Sequence, residues 1–114
     1  MYEYRATISR IVDGDTVHCA VDLGCDVTIY LSIRLAGINT PEVTGVEKEA
    51  GIAATAHLIE LIKQHADSRG RLLLRTEKDR KEKYGRYLGT LLSLSGVNLN
   101  QQMIDDGFAS PMLK

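Results

Sequence analysis

At 114 residues, 44% hydrophobic and 25% charged, the chain reads as a single domain spanning 1–114, able to bury roughly two-thirds of its unfolded surface in one core. No apolar run approaches the ~20 residues of a membrane span, so no membrane partner is expected. The start, Met1 to Thr7, lacks a basic end followed by an apolar core, so a cytoplasmic protein is expected. The net charge of −1 gives no overall pull toward a polyanion, but the charge is unevenly placed. Eight of the 14 basic residues fall between Arg69 and Arg86, opposed there by Glu77, Asp79 and Glu82, a local net of +5. Such a cluster can hold phosphates.

Residues 3–13 alternate loosely, with Tyr4, Ala6 and Ile8 on one side, and read as a strand. Asp13-Gly14-Asp15 is a turn signal, and 16–22 resumes the alternation. A second turn at Leu23-Gly24 places Cys19 opposite Thr28 or Val27, depending on loop length. In neither register does Cys19 face Cys25, so two reduced thiols are expected rather than a disulfide. The clearest pattern follows: Val27, Ile29, Leu31, Ile33 and Leu35 alternate with Thr28, Tyr30, Ser32 and Arg34. That predicts a strand buried on one face, with Arg34 on its polar face near the end.

Pro41 holds Thr40 extended. Thr44 and Glu47 have capping-box spacing and predict a helix over about 45–67. Its apolar stripe is Ile52, Ala56, Ile59 and Ile62, widened by Leu58 and Leu61. A short strand over 71–77, a charged loop over 77–83 and a strand through Tyr87 to Leu94 come next. Asn98 or Asn100 can cap a short helix that ends at Gly107. Ser110 to Lys114 carry no structural signal. Five strands, one long helix after the third and a short C-terminal helix define an α+β, mainly β chain, best built as a small antiparallel barrel. A ferredoxin-like sandwich needs a helix directly after the first strand, where this chain has a hairpin.

Several polar residues suit phosphate and metal chemistry. Asp15, the Asn39 side-chain oxygen and the Thr40 carbonyl are hard oxygen donors of the kind calcium takes. Arg34 and Arg86 offer planar forks that match phosphate oxygens. Together they suit stabilising the charge that builds on phosphorus during displacement. Glu42 is a carboxylate able to assist an attacking water. Lys83 and Tyr84 sit beside Arg86 with groups that can reach a phosphate. His18 has no ligand partners at suitable spacing and reads as a solvated strand residue. Taken singly, each of these residues has an ordinary surface explanation; their order and spacing carry the signal.

Ile11 to Val17 (Ile-Val-Asp-Gly-Asp-Thr-Val), Arg34 to Glu42 (Arg-Leu-Ala-Gly-Ile-Asn-Thr-Pro-Glu) and Lys83 to Arg86 (Lys-Tyr-Gly-Arg) together resemble the thermonuclease, or staphylococcal nuclease, family. Asn100 and Gly107-Phe108-Ala109 extend the resemblance to roughly residues 5–109. It implies a five-stranded OB-fold barrel with helices, and calcium-dependent hydrolysis of phosphodiester bonds in DNA and RNA that leaves 3′-phosphate ends. It implies that Asp15 and the Thr40 carbonyl bind calcium. It further implies that Arg34, Glu42 and Arg86 form the catalytic centre, and that Lys83 and Tyr84 lie near substrate phosphates. Three features depart from the family pattern. Asn39 stands where a second calcium-binding aspartate is usual, which removes a charge and lowers the expected calcium affinity. The hairpin around Leu23-Gly24 is longer. The chain stops near residue 114, where the family's best-known member continues into a helix and tyrosines near the nucleotide. The rival expectations are a non-catalytic module of the same fold that binds nucleic acid or a modified peptide, and an unrelated small α+β domain.

Overall fold

The computed structural model describes residues 2–81 and 85–112, with backbone only for 78–81. Five strands close into a barrel: β1 (Tyr2–Asp13), β2 (Thr16–Asp22), β3 (Thr28–Leu35), β5 (Arg71–Lys81) and β6 (Tyr87–Leu92), in the order β1-β2-β3-β6-β5 and back to β1. β4 (Ile38–Asn39) and β7 (Ser110–Pro111) pair outside the barrel. Helix α1 (Lys48–His65) lies between β4 and β5, and the short α2 (Leu99–Asp105) between β6 and β7. This is the α+β barrel expected, with one correction: it is mixed, not antiparallel. β3 and β6 run parallel, Ile33 beside Tyr87, because α1 and β5 carry the chain across the barrel between them.

Period-two patterning builds the interior. Ala6, Val17, Cys19, Val21, Ile33, Leu35, Leu72, Leu74 and Leu91 point inward and are buried. Each large apolar side chain removed from water contributes about 1.5–3 kcal/mol. The inward row of β3 is not buried along its whole length. Ile29 is 37% exposed, and Val27, which lies in the hairpin loop rather than in the strand, is 48% exposed, because this end projects beyond the closed part of the barrel. The hairpin loop is five residues, closed by Leu23 N–H to Val27 O at 2.9 Å and Val27 N–H to Gly24 O at 2.9 Å. That length sets Cys19 opposite Leu31, a register neither shorter turn anticipates. Both thiols are free, as expected: Cys19 is buried, its thiol pushed up to about 11 by that burial, and Cys25 is exposed.

The start of α1 differs from the capping-box expectation. Thr44 has an extended backbone but makes no side-chain cap, and a 3₁₀ turn (Gly45–Glu47) precedes the α-helix. The buried face is also rotated from the expected stripe. Gly51, Ala54, Leu58 and Leu61 are buried, while Ile52 is 52% exposed and Ala56 faces solvent. Close approach decides this. A Cβ on Gly14 would lie 3.0 Å from Ala54 Cβ, and one on Gly51 would lie 2.0 Å from the Glu42 carbonyl oxygen. Small side chains therefore face the two loops that bear the polar cluster, Leu58 and Leu61 fill the core beyond them, and Ile52 turns outward.

β5 continues to Lys81, which pairs with Tyr87, where a loop from 77 was expected. Asn98 caps α2, its side chain accepting from Gln101 N–H, and Gly107 follows with φ 85°. The segment without signal, Ser110–Pro111, pairs with Ile38–Asn39, and Met112 N–H bonds Gly37 O at 2.9 Å. Among the described residues no helix is long and apolar enough to cross a membrane.

Candidate active site

The Asp13-Gly14-Asp15 turn, the end of β3 and the Ala36–Thr40 segment meet at one end of the barrel. Asp15 is the hub. Its Oδ2 accepts the Thr40 backbone N–H at 3.0 Å and lies 3.4 Å from Arg34 NH2. Its Oδ1 accepts from Thr16 Oγ1 at 3.1 Å. Arg86 NH1 in turn donates to Thr16 Oγ1 at 3.5 Å. Arg34 NH2 also donates to Asn39 Oδ1 at 3.4 Å, while NH1 donates to the carbonyls of Leu35 at 2.8 Å and Ile38 at 3.0 Å. Asp15, Arg34, Asn39 and Thr40 are thus brought together directly, and Arg86 joins through Thr16.

Arg34 departs from the sequence reading in burial. It does project from the polar face of β3, but is only 9% exposed, because the Ala36–Thr40 segment folds over it. Burying a guanidinium requires partners. The two carbonyls, the Asp15 carboxylate and the Asn39 amide supply them, and they fix the fork in place. Glu42 behaves differently. It is exposed, and its side chain makes no hydrogen bond or ion pair among the described residues. With Asn39, Thr40, Glu47 and Phe108 it lines a cleft of about 320 Å³ closed on one side by Gly107 to Ser110. Lys83 and Tyr84 lie outside the described residues. Of the basic cluster, Arg71 and Arg75 are engaged elsewhere, paired with Asp67 at 2.9 Å and Glu3 at 2.8 Å.

The two aspartates titrate as a pair. Burial, then a hydrogen bond shared with Asp15, pushes Asp13 up to about 6. Burial also pulls Asp15 upward, but hydrogen bonds from Asp13 and the Thr40 amide, with the charge of Arg34, outweigh it and leave its pKa lowered. Asp15 is therefore the ionised member, and Asp13 the one that holds a proton most readily. Asp13 Oδ1 also accepts the Asp15 N–H at 3.0 Å, which shapes the turn.

Asp15, Asn39 and Thr40 carry the oxygen atoms here that could hold a hard divalent cation. Asp15 and Asn39 Oδ1 both face Arg34 NH2, and Thr40 Oγ1, next to Asn39 in the chain, is buried with no hydrogen-bond partner among the described residues. Among the described residues no three His, Cys, Asp or Glu side chains gather as a metal cluster. A cation here would rest on one carboxylate and neutral oxygens.

Sequence reasoning missed three contributors. Asp13 read as part of a plain turn, though two aspartates around one glycine is the signal of a carboxylate pair. Thr16 read only as a strand start, yet it lies opposite Arg34 on the outer face and links Asp15 to Arg86. Gly107 to Ser110 gave no sign of closing the cleft, because β4–β7 pairing joins residues 71 apart in sequence.

The family model of staphylococcal nuclease homologues matches residues 32–113. The chain is 27% identical over 111 residues to endonuclease YhcR of Bacillus subtilis, covering 94% of this chain and 9% of that protein. It is 28% identical over 128 residues to the uncharacterized protein MJ1439 of Methanocaldococcus jannaschii, covering 93% of this chain and 58% of that protein. The chain thus spans less than two-thirds of either relative. With a match over most of its length, this chain belongs to the staphylococcal nuclease homologue family.

Proposed function

We propose that this chain is a calcium-dependent nuclease domain that hydrolyses phosphodiester bonds of DNA, RNA or both. The observation that carries the reading is the convergence of Asp15, Arg34, Asn39 and Thr40, with Arg86 joined through Thr16. Kinship with a protein named an endonuclease supports it.

In this reading Asp15, Asn39 Oδ1 and the Thr40 carbonyl would hold calcium, which would supply Lewis-acid polarisation of a phosphoryl oxygen. Arg34 and Arg86 grip the scissile phosphate from two sides and stabilise charge on its equatorial oxygens. Arg34 arrives preorganised, since its carbonyl partners hold the guanidinium before substrate binds. Glu42, exposed in the cleft and without a competing partner among the described residues, orients the attacking water and accepts its proton, a contribution of about 10²–10⁴ in rate. Lys83 and Tyr84 contact neighbouring phosphates. The substrate is read through its backbone, so base preference is weak. Two free thiols support a cytoplasmic setting.

The test is incubation of the purified chain with end-labelled single-stranded DNA in calcium or in chelator. Cleavage in calcium alone is expected. Intact DNA at every calcium concentration, with binding retained, would instead establish a binding module of this fold.

A further inference from the structure

The outer face of β1, β2 and β3 leads away from the proposed cleavage site in regular steps. Outward residues of the three strands lie side by side in rows. The first row holds Thr16 and Arg34 of the site. The second holds Arg10, His18 and Ser32, and the third Thr7, Ala20 and Tyr30. Successive rows are ~7 Å apart, two residues of strand rise. That step is comparable to the backbone repeat of an extended single strand. Tyr30 is thus ~13 Å from Arg34 along one strand, on the same face.

The chemistry of the rows matches what such a strand presents. Arg10 is exposed and has no ion pair or hydrogen bond from its guanidinium among the described residues, so it is free to take a phosphate. The bulge at Ser9 sets it opposite His18 rather than out of line. Tyr30 is 77% exposed, the largest exposure of any tyrosine described, and its neighbour Ala20 is too small to cover the ring. An open aromatic ring on β3, with an exposed cation two strands across the same face on β1, offers a stacking platform for an unpaired base whose backbone passes between them. A duplex cannot use it, because paired bases stack on each other. The fourth row places Asp22 between Arg5 and Thr28, and its charge opposes a phosphate there.

We propose that this face is a track for single-stranded nucleic acid, running from Arg34 past Arg10 to a base stacked on Tyr30 and ending before Asp22. The proposal rests on the nuclease reading and extends it: it assigns Tyr30, with Arg10 across the face, as the contacts that grip an unpaired strand beyond the cleavage site.

The test is fluorescence anisotropy of a labelled octathymidylate in chelator, with wild type, Tyr30→Ala, Tyr30→Phe, Arg10→Gln and, as a control on α1, Lys63→Gln. Thermal melts verify that each variant folds, and cleavage of the same oligonucleotide by the wild type in calcium is measured separately. Tyr30→Ala is expected to raise Kd about 5- to 100-fold, with Tyr30→Phe within about 2-fold of wild type. Arg10→Gln is expected to weaken binding and lower the salt slope by about one, and Lys63→Gln to change neither. Tyr30→Ala binding like wild type, or no wild-type binding, would overturn the track. If that happens while calcium-dependent cleavage persists, the track alone is wrong. Tyr30-dependent binding without any cleavage would keep the track and remove the nuclease reading.

Discussion

Asp15 uses both carboxylate oxygens on the protein itself, toward Thr40 and Arg34 on one side and Thr16 on the other. Burial first, and then the hydrogen bond shared with Asp15, push its neighbour Asp13 up to about 6. Folding favours protonated Asp13, so its contribution to stability is complete below the unfolded value of 3.8 and is lost as pH rises through about 6. Asp15, with a lowered pKa, acts the opposite way, and its contribution is lost as pH falls below the usual carboxylate range. In chelator, Asp13→Asn is therefore expected to gain on the order of 1 kcal/mol relative to wild type between pH 4 and pH 8. Urea unfolding at the two pH values measures it, and an equal difference at both would show that Asp13 titrates normally. Asn39 is the second residue-scale test. An aspartate there adds a charge to the proposed calcium site, in which Asp15 is the one carboxylate, so Asn39→Asp is expected to tighten calcium binding several-fold by calorimetry. Unchanged affinity would remove Asn39 from the ligand set. Asp15, Arg34 and Asn39 were legible in the sequence because motif spacing is local. Their burial was not: Arg34 sits on a polar face by period, and only the folded-over Ala36–Thr40 segment makes it a buried, preorganised cation.

At the scale of elements, α1 matters for the side it turns to the barrel. Its helical period was readable, but two or more faces of this helix are apolar enough to be buried, so periodicity could not choose between them. Gly51 and Ala54 choose, because only small residues let the Glu42 and Gly14 backbones approach. Gly51→Ala improves helix propensity by ~1 kcal/mol, yet its Cβ would meet the Glu42 carbonyl at 2.0 Å. Net destabilisation of about 1–3 kcal/mol in denaturant unfolding is expected, with a fall in cleavage rate as Glu42 is displaced. A more stable, fully active Gly51→Ala would show that the helix and the loop move apart without consequence. The β4–β7 pair shows the other limit of local reading. Two residues per strand carry no period, so only tertiary contact reveals that Ser110 backs Asn39.

For the molecule as a whole, strand count, helix placement and barrel class followed from alternation and turn signals. The parallel β3–β6 seam did not, since strand direction within a barrel is set by the crossover and leaves no mark on either strand. Closing the barrel in this order puts Asp15, Arg34 and Arg86 at one end, although they span 71 residues of sequence, and leaves the outer face of β1 to β3 open beside them. The central claim is that this convergence is a catalytic centre with Glu42 as the group that activates water. It is tested most directly by the single-turnover rate of oligonucleotide cleavage in saturating calcium, wild type against Glu42→Gln. A fall of about 10²–10⁴ with substrate affinity preserved is the result this account requires. A Glu42→Gln enzyme that cleaves at the wild-type rate would contradict it.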